Sequence, residues 1–212
     1  MMSSSSTLEE LYNNLSLAPP LNMPEGLGHF AVFDRVGMQK NQAGAMPYNR
    51  RLYYIICLIK GHNQAVYADR SFELKGDSLL FATPHIPYHW QSKGGPQGGH
   101  LCVFTETYWT THKRGLLLSQ LPLFQVGQVP IFSLTPDQTA VVAGIFAKMH
   151  TEAASDYTYK NELLAGYLME LIHFGQKLTP APLAPATMDA AERATSLFFE
   201  WLERQFQAPS PM

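Results

Sequence analysis

Between His29 and about Thr110 the chain is built of short apolar runs set apart by turn residues: HFAVFDRV, RRLYYIICLIKG, AVYADRSFELKG, DSLLFATP and GHLCVFTETYW. Runs of this length, rich in Val, Ile, Tyr and Phe, predict β-strands. Glycines at 61, 76, 94, 95, 98 and 99 fall between or beside them, a spacing that suits a small antiparallel barrel or sandwich. LIKGHNQAVYADRSFELKGD predicts two hairpins. One strand runs through Ile59, turns at Gly61 to Asn63 and returns through Ala65 to Tyr67; a second turn at Ala68 to Arg70 leads into Phe72 to Leu74. Alternation places Tyr54, Ile56 and Leu58 on one face of their strand and Tyr53, Ile55 and Cys57 on the other. Both sets are apolar, so the pattern does not tell which of them faces the interior.

After a last extended piece, VGQVPIF, the apolar period becomes helical. In TPDQTAVVAGIFAKMH, Thr135 is a cap, Pro136 suits the first helical position and Gln138 completes a capping box; Val141, Val142, Ile145, Phe146 and Met149 form one stripe. NELLAGYLMELIHFG carries a second stripe through Leu163, Leu164, Tyr167, Leu168, Leu171 and Ile172, and a short polar link makes the two a helical hairpin. Prolines 180, 182 and 185 in LTPAPLAPAT read as a semi-rigid linker. Beyond it MDAAERATSLFFEWLERQF predicts a third amphipathic helix, with Leu197, Phe198, Trp201, Leu202 and Phe206 along one side and nothing after it to pack on. The expected organisation is an N-terminal arm (1–28, a serine run and then LAPPLNMPEGLG, flexible or lightly docked), a β unit (29–132), the hairpin (133–178), a Pro/Ala linker (179–187) and the start of a truncated further domain (188–212).

Composition narrows what such a chain does. With 212 residues, 46% hydrophobic, it can fill a sizeable core. Only 15% of residues are charged against 12% aromatic, which points to polar-poor faces lying against a cavity or a partner and makes a homodimer an expectation. A net charge of −2 leaves no clustered basic footprint for nucleic acid. Cys57 and Cys102 each sit in an apolar run and read as free, buried thiols of a reducing compartment. MMSSSSTLEELYNN lacks the basic and apolar regions of a signal peptide, and no apolar run approaches the length of about 18 residues that crosses a bilayer. The expectation is a cytoplasmic protein with no membrane partner.

One stretch is more specific. GDSLLFATPHIPYHW, residues 76 to 90, pairs a Gly-Asp turn with an apolar strand, a proline stop at Pro84 and the group Tyr88, His89 and Trp90. Followed by the helical hairpin, the linker and ERATSLFFEWLERQF, it resembles the AraC family of bacterial transcriptional regulators, whose N-terminal region carries a G-D-x-x-x-x-x-P-x-x-x-H stretch; the resemblance covers roughly residues 29 to 206. It implies a mainly β fold: a cupin-like antiparallel barrel (double-stranded β-helix) that binds a small-molecule effector, with a helical hairpin that dimerises. The last helix looks like the first helix of the family's DNA-binding region. On that reading DNA is bound only through helix-turn-helix units missing from this chain.

The residues do not supply the groups that enzymatic alternatives require. A metal-dependent cupin, such as a dioxygenase or isomerase, needs a His-x-His plus Glu group on an early strand, and RRLYYIICLIKG has none. His85 and His89 are about 13 Å apart in extended chain, too far to share one ion unless Pro87 turns sharply. No Gly-x-Ser-x-Gly elbow or glycine-rich phosphate loop is present, and GGPQGG at 94 to 99 reads as a hairpin tip. No catalytic residue, metal or cofactor is therefore expected. The candidate ligand-binding residues are Tyr54, Phe81, His89, Trp90, His100 and Phe104, aromatic walls with hydrogen-bonding tips. Leu164, Leu168 and Leu171 are the candidate dimerisation residues, on stripes that serve either to pair with a second subunit or to cover the barrel. A free-standing cupin that binds a metabolite or a protein partner is the third possibility.

Overall fold

Strands β1 (Phe30–Asp34), β2 (Tyr54–Lys60), β3 (His62–Tyr67), β4 (Arg70–Lys75), β5 (Ser78–Ala82), β6 (Tyr88–Ser92), β7 (Gly98–Phe104) and β8 (Ile131–Ser133) form two antiparallel sheets, of order β1-β7-β2-β5-β8 and β4-β3-β6. This computed structural model describes residues 7–15, 28–35, 51–67, 70–84, 86–95, 97–113, 115–125 and 130–179. Among the described residues four α-helices accompany the strands: α1 (Leu8–Leu15), α2 (Glu106–His112), α3 (Pro136–Ala153) and α4 (Lys160–Leu178). The chain divides into units Met1–Thr179 and Pro180–Met212. The second, with most of the expected linker and the terminal helix, lies outside the described residues.

Strand β2 sits in the middle of the five-stranded sheet, paired with β7 on one side and β5 on the other. Its burial explains the continuous apolar run of its sequence. Ile55, Cys57 and Ile59, with Leu80, Leu101 and Val103, face the three-stranded sheet and pack on Ala65, Leu74 and Tyr88. Tyr54, Ile56 and Leu58, with Phe81, Cys102 and Phe104, face the helices and pack in one cluster with Phe146, Leu168 and Leu171. Both sides of the sheet are thus covered, giving three layers: small sheet, large sheet and helices. Alternation distributes Cys57 and Cys102 to opposite faces although Ile56 is paired with Cys102; both thiols are free, and burial pushes both above the ordinary thiol range.

The predicted β3–β4 hairpin is present, in the register Ala65↔Phe72. The predicted β2–β3 hairpin is not. Between Lys60 and His62 the chain passes from the large sheet to the small one, so Gly61 turns a corner between layers. The same happens at Gly76 between β4 and β5, and across residues 93–97 between β6 and β7, where a hairpin tip was expected. The chain thus winds between two sheets that share no ladder among the described residues. GHLCVFTETYW was expected to be one strand. It ends at Phe104, because the Thr105 hydroxyl accepts from Tyr108 N and caps α2, while the Trp109 indole donates to the Leu116 carbonyl at 2.6 Å.

α3 starts as its sequence predicts, with the reciprocal Thr135–Gln138 capping box and Pro136 in the first turn. Val142, Ile145, Phe146 and Met149 are buried; Val141 is exposed. In α4 Leu164, Leu168 and Leu171 are 3%, 0% and 0% exposed within the chain itself. The N-terminal arm contains a docked helix. Thr7 and Glu10 cap α1 reciprocally at 3.1 and 3.2 Å, and Leu11 and Tyr12 are buried. None of the helices among the described residues is long and apolar enough to cross a membrane.

Gly99 (φ +110) lies in β7 where a Cβ would come within 1.9 Å of the Leu58 carbonyl oxygen, whereas at Gly76 (φ +102) a Cβ would meet nothing within 4 Å. Gly99→Ala should cost about 3 kcal/mol or more, from backbone strain and collision together, and Gly76→Ala about 1 kcal/mol from strain alone. Urea unfolding midpoints of the two variants check the difference.

Candidate functional site

The layer between the sheets is apolar along its middle and carries its polar groups at its two ends. At one end Arg51, three residues ahead of β2, is 1% exposed. Its Nη1 donates to the Tyr88 carbonyl at 3.0 Å, and its guanidinium carbon stands 3.8 Å from the centroid of the Tyr88 ring. Cation–ring contact and hydrogen bonding together hold a charge where an apolar wall alone would reject it. Tyr53 lies beside it: burial pushes its phenol up to about 12, with the neighbouring Arg51 charge pulling the other way. At the other end Asn63 is fully buried, with Nδ2 donating to the Lys60 carbonyl at 3.5 Å, and its Oδ1 has no hydrogen-bond partner. Arg35 is also buried there, its Nη1 donating to the Gly98 carbonyl at 3.4 Å.

α1 closes the Arg51 end. Leu11 packs in the same inter-sheet cluster as Tyr53 and Tyr88, and Glu10 is near enough to act electrostatically on Tyr53. The helix is tied to β1 by a 2.9 Å hydrogen bond between the Tyr12 hydroxyl and His29 Nε2, and the Tyr12 ring meets Phe33 edge-on at 5.7 Å. Burial lowers His29 to about 4 and raises the Tyr12 phenol far above its ordinary value. The phenol is therefore the donor and the neutral imidazole the acceptor.

Four of the six residues expected to line a pocket stand on the opposite, helix-covered face of the large sheet. Tyr54 stacks on Phe104 at 5.3 Å and meets Phe124 edge-on, and Phe81 meets Phe124 and Phe132 edge-on. His100 stacks on Phe146 of α3 at 5.2 Å, with His150 5.3 Å away. The other two are on β6 of the small sheet. His89 is half-buried one residue from Tyr88, on the other face by alternation; the backbone of Trp90 pairs with Ala65, and its side chain lies outside the described residues. The five whose side chains are described thus fall on two surfaces.

Arg51, Tyr53 and Asn63 were missed by sequence reasoning. An arginine directly ahead of a long apolar run, in a chain with so few charges, was the available signal. Thr-x-x-Glu before Leu11 was the signal for α1. Among the described residues no three His, Cys, Asp or Glu side chains come together as a metal site.

No protein-family model matches the chain, and no curated protein matches it. Solved structures are similar in outline. A variant of apo ToxT from Vibrio cholerae aligns at a TM-score of 0.46 and 12% identity over 82% of this chain and 64% of that one. ToxT bound to an unsaturated fatty acid gives 0.39 and 12%, over 82% and 63%. CuxR, an AraC-like transcriptional activator, gives 0.38 and 13%, over 85% and 60%. The chain thus spans less than two thirds of the length of these proteins.

The Tyr12–His29 tie has a pH consequence. His29 titrates at about 4 folded against 6.5 unfolded, so between those values the unfolded chain binds the extra proton. Stability should be complete above about 6.5, fall as the pH drops towards 4 and level off below. His100, His112 and His150 are shifted down by burial too and steepen the same slope. His29→Gln should flatten part of it, read from urea midpoints across this range.

Proposed function

We propose that this chain is the effector-sensing and dimerisation part of an AraC-like transcriptional regulator, built on a cupin-like fold. It binds a small molecule between its two sheets and passes the bound state to the regulator's helix-turn-helix units. The observation that carries this reading is Arg51, a cation held inside the inter-sheet layer against Tyr88 with the Tyr53 hydroxyl alongside. A guanidinium, a phenol and apolar walls form a recognition set for a small molecule bearing a carboxylate, which a guanidinium grips through paired N–H groups. Trp90, in register with Ala65 on the strand of Tyr88, is retained as a ligand residue of this site. Tyr54, Phe81, His100 and Phe104 support it from the far face of the sheet.

α1 gives the site a means of reporting. Leu11 packs into the layer whose end Arg51 occupies, so a ligand entering there meets the docked helix. Signalling requires that ligand bind the docked and undocked arrangements with different affinity. The ligand reaches Arg51 and shifts the equilibrium of α1, and the arm carries the change outward.

A dimer, on this reading, forms through the outward side of the hairpin. Leu164, Leu168 and Leu171 are covered by the chain's own sheet and helices, whereas Val141 and Leu163 stay exposed. Leu163→Asp should shift a dimer to monomer in sedimentation with the melting temperature nearly unchanged. Leu168→Ala should lower stability by about 2–5 kcal/mol through the cavity it leaves. A chain that sediments as a monomer at high micromolar concentration overturns the dimer.

The effector reading is tested by thermal-shift screening of small carboxylates against the chain and against Arg51→Met. A hit should raise the melting temperature of the parent and lose at least about tenfold in affinity in the variant. Hits indifferent to Arg51 and Tyr53 overturn the site.

A further inference from the structure

A second recess lies outside the inter-sheet layer, where the end of β2, the corner after β4 and the start of α3 meet. It is an open cleft of about 480 Å³ whose lining includes Lys60, Asp77 and Thr139, with Leu134, Ala140 and Ala143 as apolar wall. That volume lies within the range of small-molecule sites, and an apolar wall with a few placed polar groups is their usual make-up.

The polar groups are unspent. Thr139 is 6% exposed and its buried hydroxyl has no hydrogen-bond partner. Among the described residues neither the Lys60 ammonium nor the Asp77 carboxylate makes a hydrogen bond or an ion pair, with each other or with a third group. The capping box of α3 already uses the Thr135 hydroxyl and the Gln138 side chain, so the helix start is closed without Thr139.

Opposite charges on one small cleft select against singly charged ligands. An anion drawn to Lys60 also meets Asp77, and a cation drawn to Asp77 meets Lys60; a molecule carrying both charges satisfies both residues. We propose that this cleft binds a small zwitterion of the amino-acid class, its carboxylate on Lys60 and the Thr139 hydroxyl, its ammonium on Asp77, and its aliphatic part on Leu134, Ala140 and Ala143. Such a ligand joins the last residue of β2 to the first turns of α3 and fastens the helical layer to the large sheet.

The test is calorimetric titration of the full chain with glycine, β-alanine, 4-aminobutyrate, 6-aminohexanoate and L-leucine, with butyrate and butylamine as singly charged controls. At least one zwitterion should bind about tenfold or more tighter than both controls, and the preferred length of the ω-amino acid measures the charge separation. Lys60→Met and Asp77→Asn should each weaken it about tenfold and Thr139→Val several-fold. Arg51→Met should leave it unchanged, which separates this cleft from the inter-sheet site. Far-UV circular dichroism verifies folding, and Lys60→Met, on a partly exposed side chain, carries the test should Asp77→Asn disturb its corner. Zwitterions no tighter than the controls, or binding unchanged in Lys60→Met, would overturn the proposal.

Discussion

Strand β2 has no face to offer to water. Ile55, Cys57 and Ile59 belong to the contact between the sheets, and Tyr54, Ile56 and Leu58 to the contact with the helices. Two cores therefore share one backbone, and a shift of β2 along its neighbours by one residue would exchange their contents. The pairing with β5 and β7 resists that shift. At Gly99 the backbones of β7 and β2 approach so closely that no side chain is tolerated, which pins the register at that end. The small sheet and the helical layer are each assembled onto the one strand that cannot move.

Much of this was legible in the chain. Strands β1 to β5 and β7 stand where apolar runs and turn residues put them, and α3 begins at its capping box, because these features are local; β6 stands where a rim group of Tyr88, His89 and Trp90 was expected after the stop at Pro84. What local pattern could not convey is which strands pair. A glycine between two strands reads as a hairpin turn, yet Gly61 and Gly76 turn the chain from one sheet to the other, and only the tertiary layers distinguish the two uses. TETYWTTH carries β-favouring residues, and the cap at Thr105 overrides them. The pocket residues dispersed for a related reason: alternation sorts a run into two faces but does not label the faces. Tyr54, Phe81 and Phe104 share one surface, and it is the one beneath the helices.

Charge is scarce in this protein, and where it is buried it marks ends. Arg51 and Arg35 stand at opposite ends of the inter-sheet layer, each donating to a backbone carbonyl of a strand in that layer, Tyr88 in β6 and Gly98 in β7. Bonds of this kind offset part of the cost of burying a guanidinium, which presents five N–H groups in a fixed fork. The polar ends and apolar middle give the layer a direction, with α1 at one extremity and the corner at Gly61 at the other.

The two cysteines provide a built-in measure of how these layers come apart. Cys57 and Cys102 occupy adjacent rungs of the β2–β7 ladder, yet one belongs to the space between the sheets and the other to the space under the helices. With their thiols buried and shifted up, each reacts only when its own layer opens. The labelling rate of one therefore clocks the parting of the sheets and that of the other the lifting of the helices, two separate breathing motions recorded by a single strand pair.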